Sequence, residues 1–458
     1  MIAAVFLLLL LAIMVVLSFM GMGGRVPIAE TLMLVGVLSV LFASGVYIGA
    51  ALGVLGILIG FTFSDRPFWT FIGQTVWTPS SSYVLVAVPL FLLMGEVLLR
   101  AGLSERLYRA LNVWLERLPG GLLHTNIMSS AVFSAISGSS VATAATMGSV
   151  ALPFFKGTSY SPRYVLGSLA AGGALGNLIP PGITFIIYAL ITETSVGALY
   201  LAAIGPSIII VALFTLVIVL HGLKERADAP VGARVPLGVK LRALSDLGPT
   251  MALMLLVLGT IYGGLATPTE AAALGVIGAI GFAAVDRKLT LRMLHESAAS
   301  TARVTAMIGL ILFGAYLLNY VLTSIGVPQM TARLVGELPL PPWAVMALII
   351  ALYIALGTFM EGFSMVITTL PVIFPVVKSL GYDPIWFGVI VTMLVEIAMI
   401  SPPDGTVLYV LPGMRTDGGP ITDVFRGVMP FFLAYIIGIV ILLFVPGTAL
   451  WLPALLGR

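Results

Sequence analysis

The stretches LIPPGIT (residues 178–184) and ISPPDGT (residues 400–406) each place two consecutive prolines inside a long apolar run. Apolar runs of about 20 residues form membrane-spanning helices. Proline interrupts such a helix because it has no amide hydrogen to donate. The second stretch adds a carboxylate, Asp404, at membrane depth, where ionisable residues are rare and usually functional. The pair therefore predicts two broken membrane helices with a functional role.

The composition places most of the chain in the membrane. Of 458 residues, 60% are hydrophobic and 9% are charged, and the mean hydropathy is +1.14. Because an ordinary soluble domain carries about 25% charged residues, we expect an all-α polytopic membrane protein surrounded by the lipid bilayer. The net charge of +3 fits basic cytoplasmic loops, so no nucleic-acid partner is expected. The lack of cysteine excludes disulfides and thiolate metal sites.

Apolar runs predict a series of membrane spans separated by short loops. The segment 28–63 is long enough for two helices or one bent helix, and 102–121 has the mixed pattern of an amphipathic interfacial helix. The loop 223–246 is rich in lysine and arginine, which indicates the cytoplasmic side. Other spans are expected at 2–20, 82–99, 199–222, 247–263, 270–285, 302–324, 342–357, 384–400 and 426–446.

Three landmarks recur at nearly constant offset, which indicates an internal repeat. Gly102 and Gly326, each followed by an amphipathic turn, differ by 224 positions. Gly138 and Gly362 also differ by 224 positions, and the two Pro-Pro pairs differ by 222. Paired broken helices in two related halves are typical of a secondary transporter whose substrate site lies at the repeat interface.

The serine-rich segment 130–153 is expected to form a re-entrant hairpin with its tip at Ser137–Ser140. The alternative is tight helix packing, which small residues also favour. The corresponding tip of the second half is expected at Met360–Met365. Hydroxyls and carbonyls freed at the breaks suit a hard cation such as Na⁺, and the new helix N-termini suit a carboxylate.

Three acidic residues accompany the second tip and the second break. Asp404 is expected to cap the half-helix after Pro403, to bind a cation, or to hold a proton. Glu361 lies at the second tip, and Glu396 lies just before the second break. Both are expected to face water or to take part in gating.

Five segments together resemble the large membrane subunit of TRAP (tripartite ATP-independent periplasmic) transporters. They are PLFLLMGEVLLRAGLSERL, SAISGSSVATAATMGSVALP, GNLIPPGI, GGLATPTEAAALG and SPPDGT, in family order, and the likeness covers roughly residues 37–446. The resemblance implies an elevator-type transporter with an inverted repeat, two re-entrant helical hairpins and two broken helices. It also implies sodium-coupled uptake of a small organic acid across the bacterial inner membrane by a protein that is not an enzyme.

The resemblance also implies two partners and a set of site residues. A periplasmic binding protein would deliver the substrate, and a separate small four-helix membrane subunit would complete the transporter. The implied substrate residues are Ser137, Ser139, Ser140, Asn177, Pro181, Gly182, Gly362, Ser364 and Thr406. The implied residues for Na⁺, the coupling ion, are Ser137, Ser139, Gly176, Asn177, Gly362, Ser364, Ser401, Pro402, Asp404 and Thr406.

The domain organisation follows from the repeat and the resemblance. Residues 1–27 are expected to form an extra transmembrane helix that the usual subunit lacks, either as a relic of a fusion or as a docking helix for the small subunit. Scaffold helices are expected at 28–124, 199–300 and 301–356, the first with the amphipathic arm and the second with the basic loops. Transport regions are expected at 125–198 and 357–424, and a last transmembrane helix at 425–458.

Other classes of function fit the sequence less well. A stand-alone sodium/dicarboxylate symporter, which needs no binding protein, shares the hairpin and broken-helix pattern. A passive channel would explain hydroxyl-lined hairpins but would not require matched breaks in two halves. An intramembrane enzyme would need a constellation such as H-E-x-x-H or G-x-S-x-G, and neither is present.

Overall fold

A computed structural model describes residues 46–63, 68–225, 235–337, 339–358, 360–403, 405–415 and 418–457. Within these residues all regular structure is helical. The expected first span at 2–20, the first half of the segment 28–63, and Asp404 lie outside the described residues.

Nineteen α-helices occur in the described part of the chain. The first nine are α1 Ile48–Phe63, α2 Ile72–Ser80, α3 Ala87–Ala101, α4 Leu103–Leu115, α5 Leu122–Ser137, α6 Ser140–Phe155, α7 Pro162–Gly173, α8 Ile183–Thr192 and α9 Val196–Lys224. The others are α10 Leu237–Tyr262, α11 Pro268–Val285, α12 Leu291–Ser324, α13 Val327–Gly336, α14 Pro342–Gly357, α15 Gly362–Ser379, α16 Pro384–Met399, α17 Thr406–Val410, α18 Thr422–Phe444 and α19 Gly447–Leu455.

Most of the expected spans are confirmed as helices, and seven described helical segments are long and apolar enough to cross a membrane. Two boundaries were predicted wrongly. Helix α10 begins at Leu237, inside the expected loop 223–246, and α12 begins at Leu291 instead of residue 302. Both extensions carry charged residues, and a hydropathy window stops at charge although the backbone hydrogen bonds of a helix continue through it.

The chain divides into two compact units. Of the residues that the structure describes, one unit contains those up to Ser82, those in Val304–Ile349 and those in Phe363–Gly381, and the other contains those in Tyr83–Arg303, in Ile350–Gly362 and from Tyr382 onward. In the first unit, α1 and α12 cross so closely that a Cβ added at Gly314 would lie 2.1 Å from the carbonyl oxygen of Gly49. The second unit contains α3–α11, α16–α19 and the first tip. The expected domain boundaries stay a prediction.

Helices α5 and α6 form the first hairpin, as predicted. Helix α5 ends because Gly138 takes a left-handed conformation with φ 60°, which glycine adopts without steric cost. Helix α6 then begins behind Ser139, whose hydroxyl accepts a hydrogen bond from the amide of Ala142 at 3.5 Å. The two residues Gly138 and Ser139 therefore reverse the chain at the tip.

The base of this hairpin lies at the basic end of the second unit. Tyr164, near the start of α7, stacks on His221, near the end of α9, with 3.4 Å between ring centroids. Leu122, at the start of α5, donates its amide hydrogen to the hydroxyl of Tyr160 at 3.0 Å. Because α9 leads into the basic loop, the positive-inside rule predicts that this end faces the cytoplasm.

Glycine allows α7 and α18 to cross at backbone distance. A Cβ added at Gly427 would lie 1.9 Å from the carbonyl oxygen of Arg163, and one at Gly167 would lie 2.2 Å from that of Gly427.

We expect Gly427→Ala to destabilise the protein by about 1–3 kcal/mol, because the two backbones must separate. Thermal unfolding in detergent measures this loss. Gly281→Ala in α11 is the matched control, since a Cβ there meets nothing within 4 Å.

Candidate functional site

The first break separates α7 from α8 at residues 174–182. The Pro180–Pro181 peptide is cis. Prolines at 180 and 181 cannot donate the hydrogen bonds that would continue a helix from the carbonyls of Gly176 and Asn177. Gly182 closes the turn so tightly that a Cβ there would lie 1.8 Å from the carbonyl oxygen of Asn177. The backbone carbonyls of Gly176 and Asn177 therefore have no helical amide partner at these two positions.

The first tip is seated directly in this break. A Cβ added at Gly176 would lie 2.3 Å from both the Cα and the amide nitrogen of Ser140. Ile183, the first residue of α8, donates its amide hydrogen to the carbonyl oxygen of Gly138 at 3.2 Å. A Cβ added at Gly138 would lie 2.5 Å from the carbonyl oxygen of Pro181. The structure thus brings together the first set of predicted site residues.

The docking also changes one expectation. The tip was expected to expose its hydroxyls to a cavity, but Ser137 and Ser140 are buried, and Ser137 Oγ shares a hydrogen bond of 2.8 Å with Thr143 Oγ1. The amide of Ile183, expected to be available to a carboxylate, is bonded to the tip. The hairpin tip and the break therefore supply hydrogen-bond partners to one another, which irregular backbone inside a membrane requires.

The second break has the same layout. Helix α16 ends at Met399, the Pro402–Pro403 peptide is cis, and α17 begins at Thr406. The amide of Gly405 bonds to the carbonyl oxygen of Ser401 at 2.9 Å, which makes a compact turn. The half-helix α17 is only five residues long, shorter than its counterpart α8. Because Asp404 is not among the described residues, its role stays a prediction.

Helices α14 and α15 flank the expected second tip, and the start of α15 differs in register from the prediction. Their packing as a second hairpin stays a prediction. Gly362 is the first residue of α15, as Ser140 is the first of α6, and these two positions differ by 222. The pairing of Gly138 with Gly362 was therefore wrong by two residues. A Cβ at Gly362 would lie 2.7 Å from Cγ1 of Val395 in α16. Ser364 belongs to the other compact unit, so its place in the site stays a prediction.

A buried carboxylate joins the two halves. Glu396 in α16 is completely buried, so the expectation that it might face water was wrong. Its Oε1 accepts hydrogen bonds from Ser140 Oγ at 2.7 Å and from the Asn177 amide at 3.0 Å. Its Oε2 lies 2.8 Å from Ser140 Oγ. The sequence held a signal for this residue, because a carboxylate inside an apolar helix is a functional candidate by default.

Several buried oxygens near the breaks lack a hydrogen-bond partner among the described residues. They include Asn177 Oδ1, Thr184 Oγ1 and Thr406 Oγ1, and the two threonines differ by the repeat offset of 222. Each threonine lies in the first turn of the half-helix that follows a Pro-Pro pair. Unsatisfied buried oxygens cost free energy, and a hard cation such as Na⁺ would satisfy them. The residues therefore fit the implied ion.

The chemistry of these oxygens does not suit a transition metal. No group of three histidine, aspartate or glutamate side chains that could hold such an ion occurs in the described residues. The oxygens at the breaks are neutral hydroxyl, amide and carbonyl groups. Together with paired broken helices in a helical membrane protein, they are typical of one class of protein, the secondary transporters.

The comparisons with known proteins give the family. This chain belongs to the tripartite ATP-independent periplasmic transporter family, DctM component, whose model matches residues 35–448. The match confirms the resemblance seen in the sequence. With seven described helices suited to membrane crossing, the chain is a multi-pass inner-membrane protein. Its relatives are transporter permeases, and no enzyme family is indicated.

Two relatives and one solved structure illustrate the similarity. The chain is 32% identical to the C4-dicarboxylate TRAP transporter large permease protein of Pseudomonas aeruginosa, over 89% of this chain and 94% of that one. It is 29% identical to the sialic acid TRAP transporter large permease protein of Vibrio cholerae, over 84% and 90%. The YdaH transporter of Alcanivorax borkumensis shares the fold, with a TM-score of 0.61 and 17% identity over 87% and 96%.

Proposed function

We propose that this chain is the sodium-coupled permease that moves a small organic acid inward across the inner membrane. The observation that carries the proposal is the docking of the first tip in the first break, beside buried oxygens without partners. Such oxygens are unfavourable in the empty protein and favourable when a cation binds, so ion binding can drive a change of state. The second break supplies a related oxygen at Thr406.

The proposed substrate is a carboxylate. Relatives are named for C4-dicarboxylates and for sialic acid, which share carboxyl groups. No lysine or arginine occurs in residues 137–143, 174–184 or 396–406. The negative charge of the substrate must therefore be balanced by bound Na⁺ and by the polar groups of the breaks. This requirement couples binding of the substrate to binding of the ion.

The proposed cycle is an elevator movement, in which the hairpins and broken helices carry ion and substrate together across the membrane. A periplasmic binding protein would deliver the substrate, and a small four-helix membrane subunit would complete the complex. These proposals rest on membership of the family. The rival is a stand-alone symporter with the same hairpins and no need of a binding protein.

Uptake into proteoliposomes tests the function and separates these two proposals. The purified chain, with and without its small subunit, is reconstituted, and labelled dicarboxylate is supplied free or on its binding protein. We expect uptake only with both partners and an inward Na⁺ gradient. Robust uptake of free substrate by the chain alone would support the stand-alone symporter. Equal uptake with K⁺ in place of Na⁺ would refute sodium coupling.

A sodium-specific rise in thermal stability is a second expected result. A ligand that binds only the folded state stabilises it by about 2.7 kcal/mol at a hundredfold excess over its Kd. We expect unfolding in detergent to shift upward saturably with NaCl and not with KCl at the same ionic strength. Identical curves in the two salts would contradict the proposed ion sites.

A further inference from the structure

Glu396 is the only acidic residue in the sequence between Asp383 and Asp404, and its carboxylate is completely buried. Oε1 receives Ser140 Oγ and the Asn177 amide, and Oε2 lies within hydrogen-bond distance of the same hydroxyl. Because a hydroxyl has a single proton, Ser140 shares it between the two carboxylate oxygens, and the Asn177 amide supplies the second donor. Both donors belong to the first half, so the orientation of the Glu396 carboxylate is set by the first tip and the first break.

The hydrogen bonds fix the orientation of the Asn177 side chain. A serine hydroxyl has one proton and two acceptor positions, and Ser140 gives its proton to Glu396. Its oxygen must then accept from Asn177 Nδ2, which lies at 2.8 Å. The opposite orientation would set the amide oxygen of Asn177 against a hydroxyl whose proton is already used. As a result Oδ1 faces away from Ser140, buried and without a partner among the described residues.

The carboxylate exists in only one half of the repeat. At the offset of 222, the position equivalent to Glu396 is Ala174, which has no polar side chain. The oxygen of Asn177, in the first half, is thus held in place by a residue of the second half. Glu396 also stands five positions before Ser401, at the start of the second break. A shift of α16 at that break would move Glu396 and would therefore change its hydrogen bond to the Asn177 amide.

We propose that Glu396 is a positioning residue: through Ser140 it holds the Asn177 amide so that Oδ1 is presented to Na⁺, and it thereby makes the first ion site dependent on the second half. The inference deepens the proposed function and rests on it for the identity of the ion. In this proposal Glu396 acts by accepting hydrogen bonds from Ser140 and Asn177, and Asn177 Oδ1 is the ion ligand.

The test compares Glu396→Gln with Glu396→Leu in the full-length protein. Glutamine keeps an oxygen for the Asn177 amide and the Ser140 hydroxyl, and its NH₂ group can donate to Ser140 Oγ in place of the second contact. Leucine keeps the volume and removes both acceptors. The matched control is Thr392→Val, one turn earlier in α16, where a buried hydroxyl donates to the carbonyl of Gly388 at 2.9 Å.

Two readouts are needed. The first is the Na⁺ concentration that gives half of the thermal shift, and the second is hydrogen exchange of peptides covering residues 174–182 in sodium-free buffer. We expect Glu396→Leu to raise the half-saturating Na⁺ concentration about tenfold or more, which corresponds to the loss of an oriented ligand, and to speed exchange at Asn177. Glu396→Gln and Thr392→Val should match wild type in both.

A double variant tests whether Glu396 acts through Asn177. If it does, Glu396→Leu combined with Asn177→Ala should bind Na⁺ no more weakly than Asn177→Ala alone. Additive losses would overturn the inference, as would a Glu396→Gln protein that is folded but has lost its sodium response. If wild type itself shows no sodium response, sodium coupling fails, and unchanged exchange in Glu396→Leu would then refute the positioning role separately.

Discussion

Uptake by Gly176→Ala is expected to fall below detection, although only one methyl group is added. Gly176 does not have a positive φ, so alanine can adopt its backbone conformation. Alanine is instead disfavoured by steric overlap, because the new Cβ would lie 2.3 Å from the backbone of Ser140. Backbone atoms cannot rotate away, so the tip must leave the break, at a cost of about 1–3 kcal/mol. The hydrogen bonds from Asn177 to Ser140 and Glu396 would be lost with it.

Proteoliposome uptake normalised to folded, monodisperse protein measures this effect. Gly413→Ala is the matched control, since a Cβ at that position meets nothing within 4 Å. Hydrogen exchange at the tip peptide covering residues 137–143 should increase in Gly176→Ala and stay unchanged in the control. Normal uptake by Gly176→Ala would show that the close packing of tip and break is not required for transport.

Thr184→Val and Thr406→Val are expected to change sodium-free stability and sodium affinity in opposite directions. Both hydroxyls are buried without a partner among the described residues, and valine has nearly the same shape. Removing an unsatisfied buried hydroxyl should stabilise the sodium-free protein by about 1 kcal/mol. If the hydroxyl binds Na⁺, the same change should raise the half-saturating Na⁺ concentration about tenfold. Thermal unfolding across a sodium titration gives both quantities.

Two controls distinguish this result from a general packing effect. Thr184→Ser keeps the hydroxyl and should keep sodium affinity near that of wild type. Thr192→Val in α8 removes a hydroxyl that bonds the carbonyl of Tyr188 at 2.8 Å, and should leave sodium affinity unchanged. A pair of Thr→Val proteins that are more stable but bind Na⁺ normally would mean that these hydroxyls are not ligands.

The sequence was sufficient for the class of protein, the family and most of the helices. Apolar runs fix spans because a bilayer imposes a length on every helix that crosses it. Proline fixes the position of both breaks, and glycine with serine fixes the first tip, because these effects are local to the backbone.

Other features were decided by tertiary structure alone. The register of the second hairpin was misjudged because two glycines matched by sequence, Gly138 and Gly362, occupy opposite ends of their turns. The expectation that Glu396 might face water was wrong because a hydropathy pattern does not show which residues of another segment supply hydrogen bonds. Ser140 and Asn177 are 256 and 219 positions away from it.

The sequence by itself determined where most of the helices lie and where they break, since both depend on neighbours within a few residues. The tertiary structure decided which buried oxygens are satisfied and which are left over. Ser137 and Ser140 are used within the protein, while Asn177 Oδ1, Thr184 Oγ1 and Thr406 Oγ1 are not. A hydrogen bond forms only when donor and acceptor are about 3 Å apart. Which oxygens reach a partner therefore depends on how closely segments far apart in the chain approach one another.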